Sequence, residues 1–154
     1  PRQFSNIHNI HCHFDTTGQE IIKQTNIISA FIAGSGTGGT LMGVSGALKS
    51  KNIKAKIVQV QPEESNATHG IQGINDGEDF LLDKSIIDET IYIKTKDAVA
   101  RAKRLAKENG LLVGISAGAN VLAAEQWVEE NNPEHPVVTI LCDRGERYFS
   151  CYED

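Results

Sequence analysis

The sequence predicts an α/β fold, an open parallel sheet flanked by helices on both faces. Apolar runs of strand length alternate with helix-compatible runs along the 154 residues. The run at 27–33 (IISAFIA) is apolar almost throughout, as a strand covered on both faces must be. It passes directly into the glycines Gly34, Gly36, Gly38 and Gly39, and then into a helix-compatible stretch.

Each element follows from local pattern. Residues 27–33 form the first strand and 40–50 (TLMGVSGALKS) the helix after the glycines. Residues 56–61 (KIVQVQ) form a strand ended by Pro62, and 90–94 (TIYIK) form another. Thr95 is read as the cap of a helix running to residue 108, with Val99, Ala102, Leu105 and Ala106 on one face and Gly110 just past its end. Ser116 or Ala117 begins a further helix to about residue 130, and 137–141 (VVTIL) is the last strand. Four strands with intervening helices imply a parallel sheet covered on both faces. The first residues, 1–21, read as loop-like, and the final GERYFSCYED stops as a helix begins. Such a sheet leaves edges uncovered. The expectation is therefore one α/β domain, 1–154, that is a portion of a larger protein; a complete small domain is the alternative. The irregular stretch 63–88 exceeds ordinary loop length and is expected to be functional.

Composition narrows the function classes. Hydrophobic residues at 40% and charged residues at 23% are those of a soluble globular domain. A net charge of −5, with no cluster of Lys and Arg among aromatics, argues against a nucleic-acid or acidic-membrane partner. No apolar run approaches the roughly 20 residues of a membrane span, and no secretory signal is read. Cys12, Cys142 and Cys151 are too few and too widely spaced for a disulfide framework or a zinc pattern, so reduced thiols and a cytoplasmic location are expected. His8, His11 and His13 lie close to Cys12, but HxxHxH in an irregular segment is not a ligand spacing, and no metal site is expected.

A strand, a glycine turn and a helix start together make an anion cradle, because glycine admits close approach and the first turn of a helix carries unpaired N–H groups. The glycines alone leave three readings open. Gly34-x-Gly36-x-x-Gly39 fits a dinucleotide fingerprint, with Glu63 after the next strand as a ribose-binding acid, and so a nicotinamide-dependent oxidoreductase. A tight turn that binds nothing is the second, and for the chain as a whole a non-catalytic remnant that holds phosphate or a partner protein stays open as well. A Walker loop is excluded, since no Gly-Lys-Ser/Thr follows. The third reading takes Gly36-Thr37-Gly38-Gly39-Thr40 as the seat of a cofactor phosphate.

That third reading gains from further segments in order. Asn6, Asn9 and His13 followed by Thr16-Thr17-Gly18-Gln19-Glu20-Ile21, then Gly70-Ile71-Gln72-Gly73-Ile74, then GLLVGISAG at 110–118, then GERYFS at 145–150 all match one pattern. Together with the glycine loop they resemble the C-terminal half of the cysteine synthase and cystathionine β-synthase family, fold type II enzymes dependent on pyridoxal 5'-phosphate. The resemblance implies β-replacement on an O-activated serine, with sulfide or another nucleophile entering. It implies that Gly36, Thr37, Gly38, Gly39 and Thr40 hold the cofactor phosphate, that Ser116 bonds the pyridine nitrogen, and that Gly73 lines the amino-acid pocket with backbone. Ser116 is equally placed to cap the helix it opens. The resemblance also implies a homodimer, an amino-acid substrate, and a partner N-terminal half carrying the lysine that binds the cofactor. No lysine here stands in the family's SxKxR-like setting, so this chain alone is expected to be inactive, with no catalytic residue of its own.

Two departures from the pattern stand out. GINDGEDFLL replaces GIGxGFxP and brings in Asp76, Glu78 and Asp79, read either as a solvated loop or as a changed substrate entrance. Cys142-Asp143-Arg144 replaces Pro-Ser-Ser or Pro-Asp-Thr. Cys142 is read as a small core residue, and Asp143 stands at the strand end where ligands bind in such sheets.

Overall fold

The strands divide their side chains between two cores, which fixes the architecture. In the computed structural model, which describes residues 4–65, 70, 71, 74 and 81–152, β1 (Ala30–Gly34) turns Ala30 and Ile32 to one face and Phe31 and Ala33 to the other. All four are essentially buried, as a central parallel strand requires. β1 pairs in parallel with β2 (Lys56–Pro62) and with β4 (Val137–Thr139), and β2 pairs in parallel with β3 (Glu89–Ile93). The order across the sheet is β3-β2-β1-β4.

Helix α3 (Gly39–Ser50) connects β1 to β2 and covers one face through Leu41, Val44 and Leu48. Helices α4 (Thr95–Asn109) and α5 (Ile115–Asn131) connect β3 to β4 and cover the other, where Ala98, Ile115, Ala119, Ala123 and Trp127 meet Val58, Val60 and Ile93. The chain thus leaves β1 for one face of the sheet and reaches the neighbouring strand β4 from the other. Open sheets of this kind bind ligands outside the strand ends where the winding direction switches.

Boundaries differ from the sequence expectation at several points. The first strand begins at Ala30, leaving Ile27 exposed, and β4 ends at Thr139. Thr95 does not cap α4 with its own side chain. Glu64, reaching from beyond β2, accepts the Thr95 N–H at 3.0 Å and its hydroxyl at 3.1 Å, while the Thr95 Oγ1 accepts the Gly70 N–H. Gly110, at φ 70°, closes α4 as expected.

The larger correction is at the N-terminus. Residues expected as loop form α1 (His8–His13), a π-helical turn (Phe14–Gly18) and α2 (Gln19–Thr25). Tertiary packing explains it. Small residues on α3 let this segment lie directly on that helix: a Cβ at Gly43 would strike Ile10 and His13, and one at Gly18 would strike Ala47. A short helix of Ile, Asn, His and Thr draws its stability from such contact and not from propensity.

α4 and α5 meet as closely, at Gly118, where an added Cβ would run into the Ala98 carbonyl of the partner helix. Alanine gains up to about 1 kcal/mol in helix propensity, but overpacking against backbone costs about 1–3 kcal/mol. Gly118→Ala is therefore expected to lower the urea midpoint at unchanged m value.

Candidate functional site

The glycine loop is built in three steps. β1 ends at Gly34, Gly38 adopts φ 86°, which a side chain would disfavour, and Gly39 opens α3. Leu81 N–H bonds the Thr37 carbonyl at 3.0 Å, so the end of the long irregular stretch lies against the turn. Gly36, Thr37 and Thr40 are half-buried and Gly38 and Gly39 are buried.

The two loop threonines are held from behind. The Asn9 side-chain amide donates to Thr37 Oγ1 at 2.9 Å and Gly39 N–H donates to the same oxygen at 3.3 Å. Both lone pairs of that hydroxyl are filled, and its own proton is what it has left to offer. His13 Nε2 lies 3.2 Å from Thr40 Oγ1, and its Nδ1 lies 3.0 Å from Thr17 Oγ1. Burial lowers the His13 pKa, which favours the neutral ring. With its proton on Nε2, His13 donates to Thr40 and accepts from Thr17, so the Thr40 hydroxyl also turns its proton outward. A loop presenting two hydroxyl donors and the first amides of a helix is suited to an anion.

At the switch point a cavity of about 640 Å³ opens, within the size range of ligand pockets. Gly34, Ser116, Cys142, Asp143, Arg147 and Tyr148 line it, together with Gly70 and Ile74. Ser116 is thus a wall residue. The loop 36–40 does not form the wall itself but follows two residues after Gly34, which does. Ser116 lies in the first turn of α5, 4% exposed, and Gly114 occupies the cap position in its place. Gly73 and the acids Asp76, Glu78 and Asp79 lie outside the described residues. Glu63, the acid of the dinucleotide reading, pairs with Lys94 at 3.4 Å.

Asn120 ties the cavity together. It is fully buried, accepts Gly34 N–H at 2.8 Å, and donates to the Ile140 carbonyl at 2.9 Å and the Cys142 sulfur at 3.4 Å. Nothing in the five matched segments assigns it; the only signal was an amide on a helix of small apolar residues. Cys142 is not a core residue. Solvent reaches it at the cavity, yet protein encloses the thiol enough that desolvation raises its pKa.

Asp143 accepts the Tyr148 hydroxyl through Oδ2 at 2.6 Å. Its Oδ1 is buried with no hydrogen-bond partner among the described residues and packs on Gly114, the cap of α5. The positive end of that helix offsets a carboxylate so placed. Desolvation first, then the Asp143 hydrogen bond, pushes Tyr148 up to about 12.

The family model described as "Pyridoxal-phosphate dependent enzyme" matches residues 1–143. Cysteine synthase B of Campylobacter jejuni is 43% identical over 159 positions, covering 96% of this chain and 52% of that protein. A cysteine synthase of Staphylococcus aureus is 40% identical, with 97% of this chain and 52% of that protein covered. Among solved structures, O-acetylserine sulfhydrylase isoform 3 of Entamoeba histolytica superposes with a TM-score of 0.88 at 36% identity, over 97% of this chain and 47% of its own. An O-ureido-L-serine synthase superposes with a TM-score of 0.87 at 34% identity, over 97% and 50%. The chain spans about half the length of the curated relatives it matches.

Two outcomes check the site's electrostatics. Since the His13 pKa is lowered from 6.5, the unfolded chain binds that proton more readily than the folded one. Its contribution to stability is complete above 6.5 and is lost as pH falls below that value. Urea midpoints across this window should fall more for the native sequence than for His13→Gln. Asp143→Asn should bring the Tyr148 titration down from about 12 toward 10, read by phenolate absorbance and assigned against Tyr148→Phe.

Proposed function

Because this chain belongs to the family of pyridoxal-phosphate-dependent enzymes, we propose that it is the phosphate-binding half of a cysteine synthase-like enzyme that replaces the β-substituent of an O-activated serine with sulfide or another nucleophile. The observation that carries this reading is the pair of threonine hydroxyls held from behind, Thr37 by two donors and Thr40 by the His13 ring. This leaves Thr37 to donate forward, and Thr40 likewise when His13 carries its proton on Nε2. They fit a phosphate without adding cationic charge.

Gly36, Thr37, Gly38, Gly39 and Thr40 hold the phosphate, through the hydroxyls of Thr37 and Thr40 and the amides of the turn. Ser116, on the wall of the neighbouring cavity, faces the pyridine nitrogen with a neutral hydroxyl. When bound, the cofactor supplies the electron sink that lets the α-proton and the β-substituent depart. A neutral partner at the nitrogen keeps that sink moderate, which suits elimination from Cβ. Gly73 contributes backbone to the amino-acid pocket. The lysine that carries the cofactor and shuttles the α-proton comes from the half of the enzyme that precedes this one, so this chain is inactive without it. The complete enzyme is a homodimer.

The test joins this chain to the half its relatives carry upstream and measures binding of pyridoxal phosphate, pyridoxal and NADH calorimetrically. Charge-assisted hydrogen bonds are worth about 1.5–3 kcal/mol, so Thr37→Val and Thr40→Val should each weaken pyridoxal phosphate by about tenfold or more. Pyridoxal, which lacks the phosphate, should bind both variants nearly as it binds the native sequence. Equal losses for pyridoxal, or binding of NADH in place of pyridoxal phosphate, would overturn the assignment.

A further inference from the structure

We propose that Cys142 and Cys151 form a paired-thiol modification site in the main cavity, at which a low-molecular-weight disulfide oxidises them to a bridge beside Ser116. Both are free, exposed thiols and both line the one cavity, whereas Cys12 lies apart on α1. The stretch between them is folded back on itself. Gly145 N–H bonds the Leu112 carbonyl at 3.1 Å, the Tyr148 hydroxyl reaches Asp143 at 2.6 Å, and the Tyr152 hydroxyl reaches the Val113 carbonyl at 2.7 Å. Its two ends therefore face the same hollow.

The two thiols differ in freedom. The Cys142 sulfur accepts from the Asn120 amide at 3.4 Å and is fixed to the wall. Cys151 lies in α6 (Phe149–Tyr152), a single turn too short to be stable by itself. A disulfide needs Cα atoms within about 7 Å, so the proposed bridge requires this single turn to carry Cys151 across the cavity to Cys142.

The chemistry balances without a metal or a further oxidant. The Cys151 thiolate attacks one sulfur of the small disulfide, forming a mixed disulfide and releasing one small thiolate. Cys142 then attacks the Cys151 sulfur, the protein S–S bond forms, and the second small thiolate leaves. Two protein thiols are oxidised, one small disulfide is reduced to two thiols, and the two protons pass to the departing sulfurs. Cys151 attacks first because it rides exposed on a single turn, whereas the Cys142 sulfur is held by Asn120 and desolvation raises the pKa of its thiol. The bridge occupies cavity space next to Ser116, and the inference does not rest on reading that cavity as a cofactor site.

The test incubates the 154-residue chain, native and in denaturant, with oxidised glutathione, then alkylates and digests with trypsin. Arg144 and Arg147 lie between the two cysteines, so a bridge appears as two linked peptides that reduction separates. The native fold should yield the Cys142–Cys151 pair in clear excess over the denatured chain, and Cys12→Ser should yield it equally. Mixed glutathione adducts that never resolve, pairs that include Cys12, or equal yields with and without the fold would each overturn the inference.

Discussion

The side chain of Asn120 sets the geometry on which the rest of the site depends. β1 and β4 are neighbours, yet their connections run to opposite faces of the sheet, so their carboxyl ends diverge and leave backbone groups without ladder partners. One buried amide answers this from the middle of α5, taking the Gly34 N–H on one side and the Ile140 carbonyl on the other. An apolar residue of similar size would leave a donor and an acceptor stranded, each at about 1–3 kcal/mol. The clamp therefore holds the cavity open at the point where the winding direction switches. Gly34, which it holds, and Ser116, one turn before it on α5, both line that cavity.

A second dependence runs from the N-terminal helices into the glycine loop. Gly43 lets α1 and the turn after it lie directly on α3, and that contact brings Asn9 and His13 within hydrogen-bond range of Thr37 and Thr40. Gly39 has a part in this as well, because a side chain there would displace Asn9. The hydroxyls are thus oriented by residues more than two dozen positions earlier in the chain. Preorganised donors of this kind need no rearrangement when an anion arrives, which is where their advantage over solvated side chains lies.

What was legible in the sequence follows from which forces are local. β1, α3, β2 and α4 could be read because apolar period, proline and the terminal Gly110 act within a few residues. The N-terminal helices could not, because their Ile, Asn, His and Thr residues have little helix preference until α3 supplies a surface. The Thr95 cap failed for a similar reason: Glu64, 31 positions away, took the role. Cys142 was misplaced by the continuity of VVTILC, which hides the end of β4 at Thr139. Motif spacing located Ser116 and the glycine loop, but it carried no sign of Asn120 or of the Tyr148–Asp143 bond, which only the closed fold creates.

Asp143 bears on the choice of Ser116 as the neutral partner of a ring nitrogen, since a carboxylate lines the same cavity. Its two oxygens are directed elsewhere. Oδ2 accepts a hydrogen bond from the Tyr148 hydroxyl at 2.6 Å, and Oδ1 packs on Gly114 at the positive end of α5. A 17-residue helix presents about half an elementary charge there, beside the oxygen that has no hydrogen-bond partner among the described residues. The carboxylate is therefore occupied in fixing the segment after β4 against the start of α5. That leaves the Ser116 hydroxyl, on the same helix turn, as the uncharged group presented to the cavity. The departure from the family pattern at residues 142–144 thus changes how the wall is braced, while Ser116 keeps a neutral hydroxyl on that wall.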